Sequence, residues 1–287
     1  MGFANYRELA QAELDGKVQY STWRKTPTAA TAAGIWFDLS MSPGNPTPNY
    51  YAAAPLVAQR LSQADDGGIY HGGNPASGTK HLKQMLVMSV SAGAVPMPLM
   101  LLDYLLFYPF VDMGTTDEQP LTNTVELSRY ASGAGVQIMA VEVAGQSGVG
   151  NPQFFCTYTN QDGVTGRTTR TVACNTQIST GTIISSATAT RDSSGPFLPL
   201  QSGDSGVRKI DSVQFLTPDV GLIALVLVKP LATHTLRGID APSERDFAID
   251  FALMPQIEPN AYLNLIGYPA GNLSGAPIHG SMTFLWS

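Results

Sequence analysis

Residues 202–207 read Ser-Gly-Asp-Ser-Gly-Val. In one large class of serine proteases a Gly-Asp-Ser-Gly string surrounds the nucleophile. There the serine attacks a carbonyl, a histidine takes its proton, and an aspartate orients the histidine. His71 or His81 and Asp103 precede Ser205 in the order this chemistry uses. The surrounding phrases do not fit. The histidines lie in Tyr-His-Gly-Gly and Thr-Lys-His-Leu-Lys rather than Ala-Ala-His-Cys, and Val207 stands where a second glycine belongs. Asp103 sits within Met-Leu-Leu-Asp-Tyr-Leu-Leu-Phe, which reads as a core helix. Gly, Asp and Ser are also ordinary turn residues. The stretch is therefore read as a turn leading into Val207-Arg208-Lys209-Ile210, and no catalytic residue is assigned.

Other chemical constellations are weaker. Gly73 and Gly78 have the glycine spacing of a phosphate loop. Thr79 occupies the lysine position of that motif, Lys80 comes one residue late, and His81 replaces the hydroxyl. The four histidines, His71, His81, His234 and His279, make no metal-binding spacing. Asp65-Asp66 and Asp117-Glu118 are paired acids in polar loop sequence, where solvated charge is the ordinary state. Cys156 and Cys174 are too few for a disulfide scaffold or a structural zinc site. They are expected on adjacent strands of a hairpin, facing each other and reduced. Asn272-Leu273-Ser274 fits a glycosylation pattern, which has meaning only on a secretory route. No cofactor and no metal is expected.

The elements that would position these residues follow from composition and periodicity. The 287 residues are 44% hydrophobic, enough for a large core, but only 13% charged. An average soluble protein has about 25%. A polar surface so short of charge suits a protein largely covered by partners. A net charge of −6, with no basic run beyond Trp23-Arg24-Lys25, argues against a broad nucleic-acid footprint. The N-terminus shows no basic start followed by an apolar block, so no secretion signal is read there. The uncharged stretch 85–102 is long enough to raise the membrane question. It contains Ser89, Ser91, Gly93, Pro96 and Pro98. It is read instead as a buried strand at 85–91, a turn, and a core helix beginning at Pro98.

Residues 4–15 read as a helix, with Tyr6, Leu9, Ala10 and Leu14 on one face and Gly16 as its stop. It is either a packed terminal helix or an arm that docks on a neighbouring subunit. Residues 26–55 read as extended chain around the apolar island Ile35-Trp36-Phe37, and a short helix is expected at 53–63. From residue 136 the period becomes two. Strands are expected at 136–143, in a hairpin over 153–174 turning at Asp162-Gly163, and at 178–190, 212–215, 222–228, 261–268 and 281–287. The fold class is therefore mainly β: β-sandwich or barrel-like modules with a few helices in the N-terminal half and extended segments. Three regions are delimited: 1–135, an extended and helical arm; 136–200, a β-sandwich-like module; and 201–287, a β-rich part packing with 85–135.

Five phrases carry a resemblance. They are STWRKTPTAATAAGIWFDLS, HLKQMLVMSVSA, LLDYLLFYPFVDMGTTDEQPLTNTVELSRYASGAGVQIM, VGLIALVLVKPLATHTLRGI and AYLNLIGYPAGNLSGAPIHGSMTFLWS. Together they resemble a group of tailed-bacteriophage virion proteins encoded among structural genes. The resemblance implies a structural virion component, assembled in the host cytoplasm, with no active-site residues. Low charge and extended Pro/Thr segments suit a decoration or cement protein that bridges major capsid subunits on the capsid surface. Such a protein is expected to be a homo-oligomer on the virion, without nucleic-acid or membrane partners. The candidate lattice contacts are Tyr6, Leu9, Leu14, Trp23, Ile35, Trp36, Phe37, Tyr50 and Tyr51. Two alternatives remain open. One is a tail tube, baseplate or vertex component. The other is a carbohydrate- or receptor-binding β-sandwich, stacking sugars on Trp23, Tyr50, Tyr51 and Tyr70.

Overall fold

A computed structural model of the chain describes residues 2–149, 151–185, 195–239, 241–250 and 253–287. The main elements are α1 (Tyr6–Leu14), β1 (Val18–Lys25), β2 (Lys80–Ser89), β3 (Met97–Asp112), β4 (Gln137–Ala144), β5 (Gln153–Asn160), β6 (Val207–Phe215), β7 (Leu222–Leu236), β8 (Ser243–Asp246), α2 (Phe247–Asp250), β9 (Leu263–Gly267) and β10 (Ile278–Trp286). The fold is mainly β, and among the described residues every strand pairing within the three sheets is antiparallel.

The first sheet has the order β8–β2–β10–β1, closed at its far side by a short pairing of Gly44–Asn45 with Arg24 and Lys25. The middle sheet runs from Phe37–Asp38 through β9, β3 and β7 to β4. The third runs from Arg167–Thr168 through β5 and β6 to Gln119–Pro120. The two larger sheets thus combine strands from the 1–135 and 201–287 regions. β1, near the N-terminus, pairs along its whole length with β10.

The middle sheet is the shared wall. Along one face of β3, Leu99 and Leu101 pack under the first sheet with Leu82, Val87, Met282 and Phe284. Further along the same strand, Leu106, Tyr108 and Val111 pack under the third sheet with Phe154, Tyr158, Val213 and Phe215. The opposite face, with Leu102, Tyr104, Phe107, Val226 and Val228, is covered by Met41, Tyr51, Leu61 and Ile183. Strands buried on both faces become continuous apolar runs rather than alternating ones. This is why 97–112 and 222–228 read as they do.

That rule also explains the main correction. The helix expected from Pro98 is strand β3, and Asp103 lies in a strand. A long apolar run has the same appearance in a buried helix and in a central strand. The helix expected at 53–63 is absent too; Gln59 and Arg60 pair instead with β3. The N-terminal helix is present, with Asn5 as its N-cap accepting from the Glu8 N–H. The strand expected over 178–190 lies outside the described residues from 186 onward. Before that point, Thr182–Ile184 run beside β4 through an Ile183–Val141 bridge and an Ile184 N–H to Ala140 C=O bond.

The hairpin at 153–174 turns at Asp162-Gly163, with Gly163 at φ 79°. Its cysteines are buried free thiols of one core, but they do not face each other. The carbonyl of Cys156 accepts from Thr169 N–H, and Cys174 N–H donates to Pro152 C=O. The turn at Asp162-Gly163 sets the pairing, and equal distance from the middle of the loop does not.

Candidate functional site

The Ser-Gly-Asp-Ser-Gly stretch is a turn before β6, and its aspartate is the residue that matters. The Asp204 carboxylate accepts from Tyr158 Oη at 2.6 Å, Asn160 Nδ2 at 2.7 Å, and Arg167 Nε and Nη2 at 2.8 and 3.1 Å. The Arg167 guanidinium holds that carboxyl down to about 2, helped by the Tyr158 and Asn160 donors. Ser205 is held by its backbone. Its N–H donates to Gln161 Oε1 and its carbonyl accepts from Gly135 N–H. The histidines serve other contacts. His71 Nε2 lies 3.0 Å from Ala261 O, His81 Nδ1 lies 3.3 Å from Met254 O, and His234 Nε2 lies 3.1 Å from Ser243 O. Asp103 is ion-paired to Arg129. The four residues weighed for one mechanism are thus committed to separate structural bonds.

The glycine-rich loop at 71–78 is likewise held by a cation rather than shaped for a phosphate. Lys80 Nζ is buried against the carbonyls of His71, Gly72 and Gly73 at 2.8, 3.1 and 2.7 Å. Among the described residues, no group of three or more His, Cys, Asp or Glu side chains could hold a metal ion. No helix there is long and apolar enough to cross a membrane.

The candidate contact residues divide sharply. Trp23, Phe37 and Tyr51 are core side chains and are withdrawn as surface contacts. Trp23 is on the inner face of β1. Phe37 and Tyr51 belong to the segment that wraps over the chain's own middle sheet. Extended sequence at 26–55 therefore reflects burial against this fold, with Ile35 and Trp36 half-buried in it. Loss of Trp23 and Tyr51 also removes two of the four rings considered for sugar stacking. Tyr50 and Tyr70 remain exposed.

Tyr6, Leu9 and Leu14 stay at the surface. α1 lies against the first sheet and buries only Ala12 fully. Tyr6 is 67% exposed and Leu14 81%, while Leu9 is half-buried. Tyr6 Oη donates to Ala248 O, which joins α1 to α2 and the chain after it. There Ile249 is 73% and Leu253 85% exposed. Sequence reasoning missed these last two residues because no periodic pattern marks them. These are exposed apolar side chains from two segments far apart in the sequence, and Tyr6 and Leu253 meet across one groove. That groove, of about 380 Å³, has Phe3, Leu9 and Met254 in its wall.

One buried acid adds a pH response. Glu142 on β4 accepts from Gln146 N–H at 3.0 Å and Gln146 Nε2 at 3.4 Å. Gln146 Nε2 also reaches the carbonyls of Asn175 and Gln177, while its Oε1 is buried without a partner. Burial raises the Glu142 carboxyl to about 7, against the pull of the Gln146 donors and with a push from Asp219. A raised carboxyl contributes stability below its unfolded pKa and loses it as pH rises through the folded value. Glu142→Gln fixes the neutral form and supplies a donor for Gln146 Oε1. It should stabilise the protein at pH 8 by about 1–3 kcal/mol and change it little at about pH 5. Urea unfolding at the two pH values checks this; an offset independent of pH would contradict it.

No family model matches the chain, and no curated protein matches it. One solved structure aligned with it is titled "Structure of infectious bursal disease virus Gx strain". It shares 10% identity over 94% of this chain and 80% of the other, with a TM-score of 0.17. At that score the two do not share a demonstrated fold, and the chain is assigned to no family.

Proposed function

We propose that this chain is a structural virion protein that binds an assembled capsid lattice as a decoration or cement protein and stabilises it. The observation that carries the reading is the apolar groove between Tyr6 and Leu253, with Leu14 and Ile249 also exposed, on a chain with only 13% charged residues. Exposed apolar surface rimmed by polar residues marks interaction sites. The resemblance of its phrases to tailed-phage virion proteins supplies the kind of partner. A ligand of the assembled lattice opposes its dissociation by mass action, and repeated contacts on a symmetric shell add avidity.

The test is co-sedimentation with undecorated, expanded capsids, followed by heating. Removing residues 1–55 would delete β1 and the core residues Phe37, Leu39 and Tyr51, so the truncation must stop at residue 15. Loss of residues 2–15 leaves all three sheets in place and should abolish co-sedimentation. Saturating full-length protein should raise the temperature of capsid disruption. If it neither sediments with capsids nor protects them, the decoration reading fails, and the tail or vertex reading replaces it.

A further inference from the structure

The outermost strand of a sheet presents unpaired N–H and C=O groups, which proteins guard with charge, proline, bulges or cover. Most sheet edges here are guarded. β8 reads Ser-Glu-Arg-Asp, with three charges. β4 is covered by Thr182–Ile184. The pairing that ends the third sheet is Gln119–Pro120 and carries a proline. β1 differs. Its residues 18–22, Val-Gln-Tyr-Ser-Thr, have no charge and no proline, and eight unbroken pairs with β10 leave no bulge.

The hydrogen-bond phase shows which groups are open. Trp286 N–H donates to Lys17 C=O, so the odd residues of β1 bond β10. The even residues face away. Arg24 pairs with Asn45, and Thr26 N–H donates to Pro43 C=O. Val18, Tyr20 and Thr22 share that outward phase and have no inter-strand backbone partner among the described residues. Gln19 Nε2 lies 2.7 Å from Tyr20 O, a surface amide standing where a strand's N–H would stand. The Tyr20 ring is 69% exposed.

We propose that two copies of this chain pair antiparallel through this edge, with Tyr20 opposite Tyr20 of the partner subunit and Val18 opposite Thr22 of the partner subunit. The open window is bounded by the Gly16 turn, at φ 71°, and by the Gly44–Asn45 pairing. Its two-fold centre is Tyr20, so an identical window matches its length and phase. In this register three outward residues meet three and exchange about six hydrogen bonds. Shifting the register by two residues leaves fewer. A C2 contact places the same patch on both subunits, and a neutral edge adds no charge repulsion. The inference stands apart from the capsid reading, since it concerns the purified chain alone.

Sedimentation equilibrium of the full chain should give a dimer, and Tyr20→Lys and Thr22→Pro should each halve the mass. The Thr22 N–H faces outward, so proline there removes no bond inside the fold, and circular dichroism should be unchanged. A register-specific check works even if those variants misfold. Tyr20→Cys should be joined to its copy by a short thiol-reactive crosslinker. Thr22→Cys, about 13 Å from its own copy in this register, should not. Cys156 and Cys174 are buried and give no background. A monomer at about 100 μM with no crosslink overturns the proposal, as does equal crosslinking at both positions. A monomeric chain whose Thr22→Pro variant loses capsid binding also overturns it and assigns the edge to a strand of another protein.

Discussion

Arg129→Ala should destabilise the protein by about 3–5 kcal/mol, a large share of the 5–15 kcal/mol that holds a typical domain folded. Asp103 lies in β3 where the two sandwich cores meet, and it is fully buried. Arg129 grips both of its oxygens, Nε at 2.9 Å and Nη2 at 2.7 Å. The same Nη2 reaches the carbonyls of Leu61 and Tyr104, and Tyr262 N–H donates to Asp103 Oδ1. The pair thus binds a covering loop, the central strand and the start of β9 at one point. Truncating the arginine leaves a carboxylate in a dry site and two carbonyls without their donor. Burial already pushes the Asp103 carboxyl upward, against the pull of Arg129. Without the guanidinium it would take a proton to stay inside. The sign follows: the variant should lose less stability in acid, near the unfolded carboxyl pKa, than at neutral pH. Removing both charges is a milder change than removing one. Asp103→Leu combined with Arg129→Met should therefore be more stable than Arg129→Ala alone. Urea unfolding of the three proteins at two pH values decides. A double variant no better than the single one would mean that the arginine acts by packing.

Asp103 also shows how far sequence could go. A lone acid in an apolar run of eight residues implies a buried partner. Nothing local identifies Arg129, because the contact crosses 26 positions and is made by tertiary packing. The β-rich class and most strands were legible because alternation and apolar runs are local. β7 begins where its pattern places it but runs on past 228 to Leu236, and β10 overlaps the expected 281–287 while starting at Ile278. β3 was misread as helix because a strand buried on both faces has lost the alternation that distinguishes the two. Trp23, Phe37 and Tyr51 were misread as outward contacts because an extended, proline-rich segment has one composition whether it covers a neighbour or its own core. α1 was legible from its period and its Gly16 stop. Leu253, which meets Tyr6 of α1 across the groove, lies more than two hundred residues away in the sequence.

Lys25→Met should cost about 2–5 kcal/mol and loosen residues 39–50 first. A signal for this lysine's burial was present. Counting by two from Trp23 along β1 puts Lys25 on the inner face, where it is fully buried. Its ammonium lies 2.9 Å from Pro46 O, 3.2 Å from Ser42 O and 3.4 Å from both Ser40 O and Thr47 O. Two opposing effects must be weighed. Burial draws Lys25 down to about 8, with the Asp38 charge opposing, so keeping it charged costs about 3 kcal/mol. Methionine fills the stem and escapes that cost. It also strands the carbonyls of Ser42, Pro46 and Thr47, at about 1–3 kcal/mol for each that finds no water, while Ser40 O keeps its bond from Asn49 N–H. The second effect is larger unless the loop moves, and the loop can move only by giving up other bonds. Asp38, beside it, accepts from Tyr51, Tyr104 and Ser40. Gly44–Asn45 closes the upper end of the β1 edge. A loosened loop should thus expose both the Asp38 cluster and the backbone of Arg24. Limited proteolysis should cut the variant within 40–50 before any other segment opens. Hydrogen exchange should quicken at Arg24 and Thr26 while the odd residues of β1, bonded to β10, stay protected. A variant within about 0.5 kcal/mol of the wild type, with unchanged proteolysis, would show that the ammonium is not what holds this loop.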